Sequence, residues 1–414
     1  MSDITLSPSV RQNLLSLQST AELLATTQIR LSTGKKVNTA LDNPTNFFTA
    51  QGLDSRANDI SNLLDGIGNG VQVLQAANAG ITSLQKLVDT AKSIATQVLQ
   101  APVGYSVKAS ATSLAPTGAG PLGVVGTAAD ITNAGTNSLQ SKTFIFTPAV
   151  GAATTITISN VVAAGNVNSI DAFNTALAAA NLGLTASLAS NGSITLTSSN
   201  DNASQTLTLG AVAAANNIAI GGTDTAVLVI PTGGLAGKPL ADAASQTLRS
   251  NLVSQYNNVI AQITTTAQDA SFNGINLLNG YDLKLTFNET GKSTLTIKGV
   301  TFDAPGLGLA SLVAGTDFLD NASANATMTK LTNASSSLRA QASNLGSNLS
   351  VVQIRQDFSK NLINVLQTGS ANLTLADTNE EAANSQALAT RQSIAVSALA
   401  LANQSQQSVL QLLR

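Results

Sequence analysis

"LANQSQQSVLQLLR", Leu401–Arg414, is the last stretch of a 414-residue sequence. Terminal residues usually fray because little holds them down. This stretch instead continues an apolar seam at heptad spacing: Leu388, Arg391, Ala395, Ala398, Ala402, Ser405, Val409 and Leu412. Ile394, Leu401 and Leu413 lie off that line, so the apolar surface is wider than one seam and implies contacts on more than one side. No charged residue occurs from Gln392 to Leu413. A solvated helix normally carries Lys and Glu on its outer face. A face of Gln, Asn and Ser suits burial, where an unpaired charge is costly.

Such a helix needs a partner, and the opposite end of the sequence offers one. Ser7 and Pro8 provide an N-cap followed by proline at the first helical position. Val10, Leu14, Leu17, Ala21, Leu24, Gln28 and Leu31 then form a second heptad seam. Gly34 fits a C-terminal cap, with Lys35 and Lys36 where cations suit the helix dipole. The stretch "TGKKVNTALDNPTNFFTAQGL" reads as irregular because of Pro44 and its Asn/Asp content.

Two longer seams lie further in. From about Ala57 to Gln100 the first runs Ile60, Leu64, Ile67, Val71, Leu74, Asn78, Ile81, Gln85, Val88, Lys92, Ala95 and Leu99. Gly66, Gly68 and Gly70 each weaken that helix by ~1 kcal/mol relative to Ala, so packing must hold it. A helix over 241–269 precedes the "SFNGINLLNG" turn and a β-hairpin within 281–300. The second long seam, over about 324–367, runs Leu331, Ser335, Leu338, Ala342, Leu345, Leu349, Val352, Gln356, Ser359, Ile363 and Leu366. After a break at "TGSANLTLAD", Thr378 and Glu381 have capping-box spacing for the last helix.

The middle differs in kind. Residues 101–240 hold only seven charged side chains and are rich in Ala, Gly, Ser, Thr and Val. "KTFIFTP", "ATTITISN", "GSITLTSS", "SQTLTLG" and "TAVLVI" read as strands, with one helix near "DAFNTALAAAN". The expected fold is α+β: long helices from the two ends of the sequence and a mostly β insertion between them. The seams have two readings, as ordinary bundle core or as contact between copies of the chain. Repeated identical contacts that do not close build a helical filament.

Composition narrows the chemistry. Hydrophobic residues make up 43% and charged residues 10%, with a net charge of −2, so no global field draws in nucleic acid or anionic membrane. Cysteine, histidine and tryptophan are absent. That closes disulfides, thiolate sites and the commonest general base and metal ligand. No catalytic residue, metal site or cofactor is expected. A Ser–Lys or carboxylate-pair site has no motif in support. The sequence opens "MSDITLSPSVRQ", without a basic segment followed by an apolar one, so no secretory signal is expected there. No apolar run is long enough to suggest membrane insertion.

Three motifs carry a resemblance. "RLSTGKKVNTALDNP" at Arg30–Pro44, "FNGINLL" at Phe272–Leu278 and "LANQSQQSVLQLLR" resemble the signature stretches of bacterial flagellin, in the family's order. The likeness covers about 1–100 and 241–414. It implies a secreted, extracellular structural subunit of the bacterial flagellum that forms a helical homopolymer for motility. It further implies a flagellar type III export apparatus, a flagellin chaperone and a filament cap as partners.

The family plan places 1–33 and 378–414 as inner-tube helices, with Val10, Leu14, Leu17, Leu24, Leu31, Ala395, Ala398, Leu401, Ala402, Val409 and Leu412 as their polymerisation residues. Segments 34–56 and 369–377 become connecting spokes. Segments 57–103 and 241–368 become an outer-tube rod, with Ile60, Leu64, Ile67, Val71, Leu74, Ile81, Leu338, Leu345, Leu349, Val352 and Ile363 as its core. Segment 104–240 becomes the variable surface domain, where O-linked glycans are common in the family. "LQKLVDTAKSIA", from Leu84, aligns with the stretch that animal Toll-like receptors read, but Lys86, Val88, Asp89 and Thr90 replace the pattern, implying weak activation. Gln28–Thr49 aligns with the stretch plant receptors detect, departing at Pro44–Phe48. The alternatives are a hook–filament junction protein, or a surface adhesin or glycan-binding protein acting through 104–240. The usual form of an insertion-borne metalloprotease motif is excluded by the missing histidine.

Overall fold

The computed structural model describes residues 8–114, 140–148, 151–159, 161, 163, 165–189, 193–209, 217–221, 228–229 and 237–412. Two compact units emerge. One takes the chain as far as Gln72, Leu283–Ile297 and the chain from Asn348 onward; the other takes Val73–Asp282 and Lys298–Ser347.

In the first unit, helix α1 (Pro8–Thr33) begins on the expected proline and stops where Gly34 adopts φ +67°. Helix α2 (Pro44–Gln100) contributes its first part here. The expectation of irregular chain up to residue 56 is corrected: Pro44 starts this helix. The reason is local. Asn43 accepts from the Asn46 amide at 3.0 Å as an N-cap, and proline at the first helical position forfeits no helical hydrogen bond. The far end of helix α5 (Asn321–Thr374) runs past the expected stop near Gln367. Helix α6 (Thr378–Leu412) follows after three residues. Its cap is Asp377, not Thr378: Asp377 Oδ1 accepts from the amides of Asn379 at 2.9 Å and Glu380 at 3.3 Å.

The two-stranded hairpin, expected within 281–300, forms from 283–286 and 294–297, with Leu283 opposite Ile297. Gly70 on α2 leaves room for Leu285, since a Cβ there would collide with that side chain. Arg355 on α5 lies 5.7 Å above the Phe287 ring.

The second unit packs α2 beyond Gln72, helix α4 (Ala243–Asp269) and the first part of α5. Val73, Leu74, Ile81, Leu84, Val88, Val98, Leu252, Tyr256, Ile260, Ile263, Leu331 and Leu338 are all buried. Within "FNGINLL", Asn273 (φ +49°) and Gly274 (φ +78°) make the turn. Asn276 then donates to the carbonyls of Ala267 and Gln268 at 2.8 and 2.9 Å, satisfying the end of α4. Leu277 and Leu278 are buried behind it.

The insertion also belongs to this unit. We number its strands β1 (Tyr105–Val107), β2 (Ser110–Ser113), β3 (Thr143–Pro148), β4 (Thr154–Ile158), β5 (Asn166–Val167), β6 (Leu184–Leu188), β7 (Ile194–Ser198), β8 (Thr206–Leu209), β9 (Asn217–Gly221), β10 (Leu228–Val229) and β11 (Leu240–Ala241). One sheet has the order β10-β2-β7-β6 and another β5-β4-β3-β9-β8, while β1 pairs with β11 where the insertion leaves and returns. Helix α3 (Ile170–Ala179), capped by Ser169, supplies Phe173 and Leu177 to a core shared with Phe144, Phe146, Ile156, Ile158, Ile194 and Leu196. Phe144 and Phe146 stack and Phe173 packs tilted against both, with centroids 6.1–6.4 Å apart. "TAVLVI" lies partly outside the described residues; its Leu228 and Val229 form β10. The fold is α+β, with long helices from both ends and a strand-rich insertion.

Candidate functional site

The first unit brings the two ends of the chain together. Helix α1 packs against α6, with the end of α1 beside the start of α6. Arg30, in the last turn of α1, donates to Glu381 Oε1 at 3.2 Å, in the first turn of α6. Each charge sits at the dipole end of its own helix that favours it. The Glu381 side chain is only 10% exposed, so the pair is partly desolvated.

Just beyond, the two connectors clasp. The Lys36 amide donates to Thr374 O at 2.7 Å, and the Ala376 amide donates to Gly34 O at 3.0 Å. Val37 is buried beside this clasp. Asp42 Oδ2 accepts from the amides of Asn38 and Thr39 at 2.9 and 2.8 Å, and these bonds hold its carboxyl below the usual carboxylate range. "RLSTGKKVNTALDNP" is therefore an ion-pair arginine, a left-handed glycine, a clasp and a helix start in sequence.

Half of each expected seam falls on the observed contact face. On α1 the covered line is Val10, Asn13, Leu17, Thr20, Leu24, Thr27 and Arg30. Val10, Leu17 and Leu24 match the expectation; Leu14 and Leu31 are exposed, with Thr20 and Thr27 buried in the alternate positions. Thr20 spends its hydroxyl on Ser16 O at 2.8 Å, so it enters the contact with no polar group unmet. On α6 the covered line is Glu381, Ser385, Leu388, Gln392, Ala395, Leu399 and Ala402, which leaves Ala398 and Leu401 exposed. The side chains of Val409 and Leu412 lie outside the described residues.

A large apolar surface is left over. Leu15 is 70% exposed, Leu23 and Ile29 each 54%, and Leu401 69%; Ile394 and Val396 are also exposed. A second row, Val351, Ile354, Phe358 and Val365, lies exposed on α5 at helical spacing. The sequence reading missed this row and the Arg30–Glu381 pair. The row's spacing of three, four and seven was the available signal for the former.

Of the expected rod-core residues, Ile60, Ile67, Leu74, Ile81, Leu338, Leu345 and Val352 are buried, while Leu64, Val71, Leu349 and Ile363 are half-buried. In the receptor-like stretch, Lys86, Asp89 and Thr90 are exposed on α2. Val88 is fully buried, so it is removed from any outward-facing contact set: its place in the heptad points it into the core. Over 28–49, Phe48 is exposed and packs edge-on against Phe47 at 5.5 Å.

Both ends match known families. Residues 7–114 match the bacterial flagellin N-terminal helical region, and 328–413 match the bacterial flagellin C-terminal helical region. The chain belongs to the bacterial flagellin family. Relatives include flagellin FljM of Caulobacter vibrioides, 33% identical over 165 residues that cover 39% of this chain and 59% of that protein. Flagellin FljO of the same organism is 31% identical over 184 residues, 43% of this chain and 66% of that protein. A flagellin of Brucella melitensis is 28% identical over 184 residues, 42% of this chain and 65% of that protein. The chain thus spans less than two thirds of the length of the curated flagellins it matches. The flagellin matches take in both helices of the clasped pair and stop short of most of the insertion.

Proposed function

We propose that the chain is a structural subunit that assembles with copies of itself into the filament of the bacterial flagellum, serving motility. One observation carries this reading: α1 and α6 bury only one narrow face on each other, and the remaining faces present Leu15, Leu23, Ile29 and Leu401 among few charges, Arg11 and Glu22 on α1 and none on α6 from Gln392 to Leu412. Contiguous apolar surface of this kind marks a docking face. Copies of the same chain supply matching faces all along a helical array.

On this reading, 1–33 and 378–414 line the inner tube and 34–56 and 369–377 are the spokes. Segments 57–103 and 241–368 form the outer rod, and 104–240 faces the medium with any O-linked glycans. Type III export, a chaperone and a tip cap belong to the same proposal, as does weak reading of Lys86, Asp89 and Thr90 by innate receptors. The adhesin alternative draws little support, because three of the four aromatic rings of 104–240, Phe144, Phe146 and Phe173, fill the core of the insertion, which leaves only the half-buried Tyr105 to stack on a sugar.

Electron microscopy of the purified full chain with filament seeds tests the proposal. Long filaments are expected, and a protein that stays monomeric beside active seeds refutes it. Deleting the gene separates the readings in the cell: loss of swimming marks the filament subunit, and loss of attachment with intact swimming marks the adhesin.

A further inference from the structure

Where α2 ends and the insertion begins, a guanidinium is completely enclosed. Arg249, on α4, has no exposed surface. Its Nε donates to Pro102 O at 2.6 Å and its Nη1 to Phe318 O at 2.6 Å. Its Nη2 donates to Val98 O and Ala101 O, both at 3.0 Å, and to Asn321 Oδ1 at 3.2 Å. None of these five acceptors is a carboxylate. Burial pushes the guanidinium pKa down, while nearby Asp320 opposes that shift. A hydrocarbon chain of equal length would avoid the charge, but it would take the donor away from the Phe318 carbonyl, whose bond to Nη1 is buried.

The acceptors come from separate parts of the sequence: the end of α2, a turn at Phe318 and the first residue of α5. Phe318 holds φ +62°, an unfavourable conformation for a bulky residue, and its carbonyl is fixed by Arg249 while its amide donates to Ser323 Oγ at 3.0 Å. Every acceptor lies outside 105–241.

The same Phe318–Ala322 stretch carries the insertion on its other side. The first-turn amides of α5, which have no partner within their helix, donate outward: Asn321 to Asn200 O at 3.2 Å and Ala322 to Asp201 O at 3.0 Å. Ser204 Oγ donates to Asp320 Oδ2 at 2.7 Å. The Gly104 amide donates to Leu319 O at 3.1 Å, and the Asp242 amide to Gly104 O at 3.0 Å. We infer that Arg249 is a positioning residue for the insertion. By holding Phe318–Asn321 against the end of α2, it presents the α5 amides and the Leu319 carbonyl on which the insertion seats.

Hydrogen exchange on the full chain tests this with Arg249→Lys and Arg249→Met. Lysine supplies one nitrogen and cannot serve acceptors spread across a planar fork. In Arg249→Lys the amides of Gly104, Asp242, Asn321 and Ala322 should exchange about tenfold faster or more, with the β3–β9 pair unchanged. Leu252→Ala, at a buried position on the same helix, should instead quicken the helical amides without singling out those four. If Arg249→Met fails to fold, Arg249→Lys carries the test alone. Wild-type exchange at the four amides in Arg249→Lys overturns the inference. So does an equal rise across the β3–β9 pair, or the same four-amide pattern from Leu252→Ala.

Discussion

The α1–α6 pair and the helices of the second unit are built from similar heptads, yet they spend them differently. In the second unit Leu74, Ile81, Leu84, Val88, Leu331 and Leu338 point inward and each is almost fully buried. In the α1–α6 pair, threonines and a glutamate occupy much of the contact, and the large residues Leu15, Leu23, Ile29, Ile394 and Leu401 face out. The first arrangement is a finished core. The second buries too little apolar surface to be one, at roughly 25 cal/mol per Å² removed from water. Its missing surface is what the proposed neighbours would provide.

Removing residues 395–414 should have the largest effect. Seeded growth should be lost altogether while the second unit, which contains none of those residues, keeps its circular-dichroism signal and unfolding midpoint. Next come core truncations. Leu84→Ala or Leu338→Ala should cost about 2–5 kcal/mol in denaturant unfolding, whereas Leu15→Ala or Leu23→Ala should stay within about 0.5 kcal/mol. Equal costs at the two sets of leucines would erase the contrast between the regions.

The ion pair gives a smaller, directional effect. Arg30→Ala leaves the enclosed Glu381 carboxylate without its partner, while Glu381→Ala leaves a better-hydrated arginine, whose side chain is 38% exposed. Arg30→Ala should therefore be the more destabilising, by about 1–3 kcal/mol, read by local exchange at the clasp amides of Lys36 and Ala376. The glycines of α2 are the finest probe. A Cβ at Gly66 or Gly68 meets nothing within 4 Å, so alanine there should stabilise by up to ~1 kcal/mol. Gly70→Ala should destabilise instead, because Leu285 must move.

The sequence-level reading of these helices was right in one line and one residue off in the other. On α2 the line Ile60, Ile67, Leu74, Ile81, Val88 and Ala95 is buried as read, but its companion line is Ala57, Gly70, Ala77, Leu84, Ala91 and Val98 rather than Leu64 through Leu99. Reading by size favours Leu64 and Val71, whereas close helix approach favours alanine and glycine. A similar shift recurs on α1, where Thr27 displaces Gln28 and Thr20 is buried more deeply than the half-buried Ala21. Helix starts were legible when their caps were ordinary, as at Pro8, and illegible at Pro44 because proline was read as a breaker. The insertion's strands with alternating apolar residues were found. Short or weakly patterned strands, such as β1, β5 and β11, depend on partners distant in sequence and left no local trace. The Arg30–Glu381 pair spans 351 positions and could only appear once the ends met.

The central claim is that the outward Leu15, Leu23 and Ile29 of α1 are contacts between copies and not part of the fold of one chain. The triple variant Leu15→Ser, Leu23→Ser, Ile29→Ser tests it most directly, scored by seeded filament growth alongside monomer unfolding. The expected result is a monomer whose unfolding curve overlays wild type, within about 0.5 kcal/mol per site, and seeds that do not elongate. Filaments that grow at the wild-type rate from the triple variant would contradict the account.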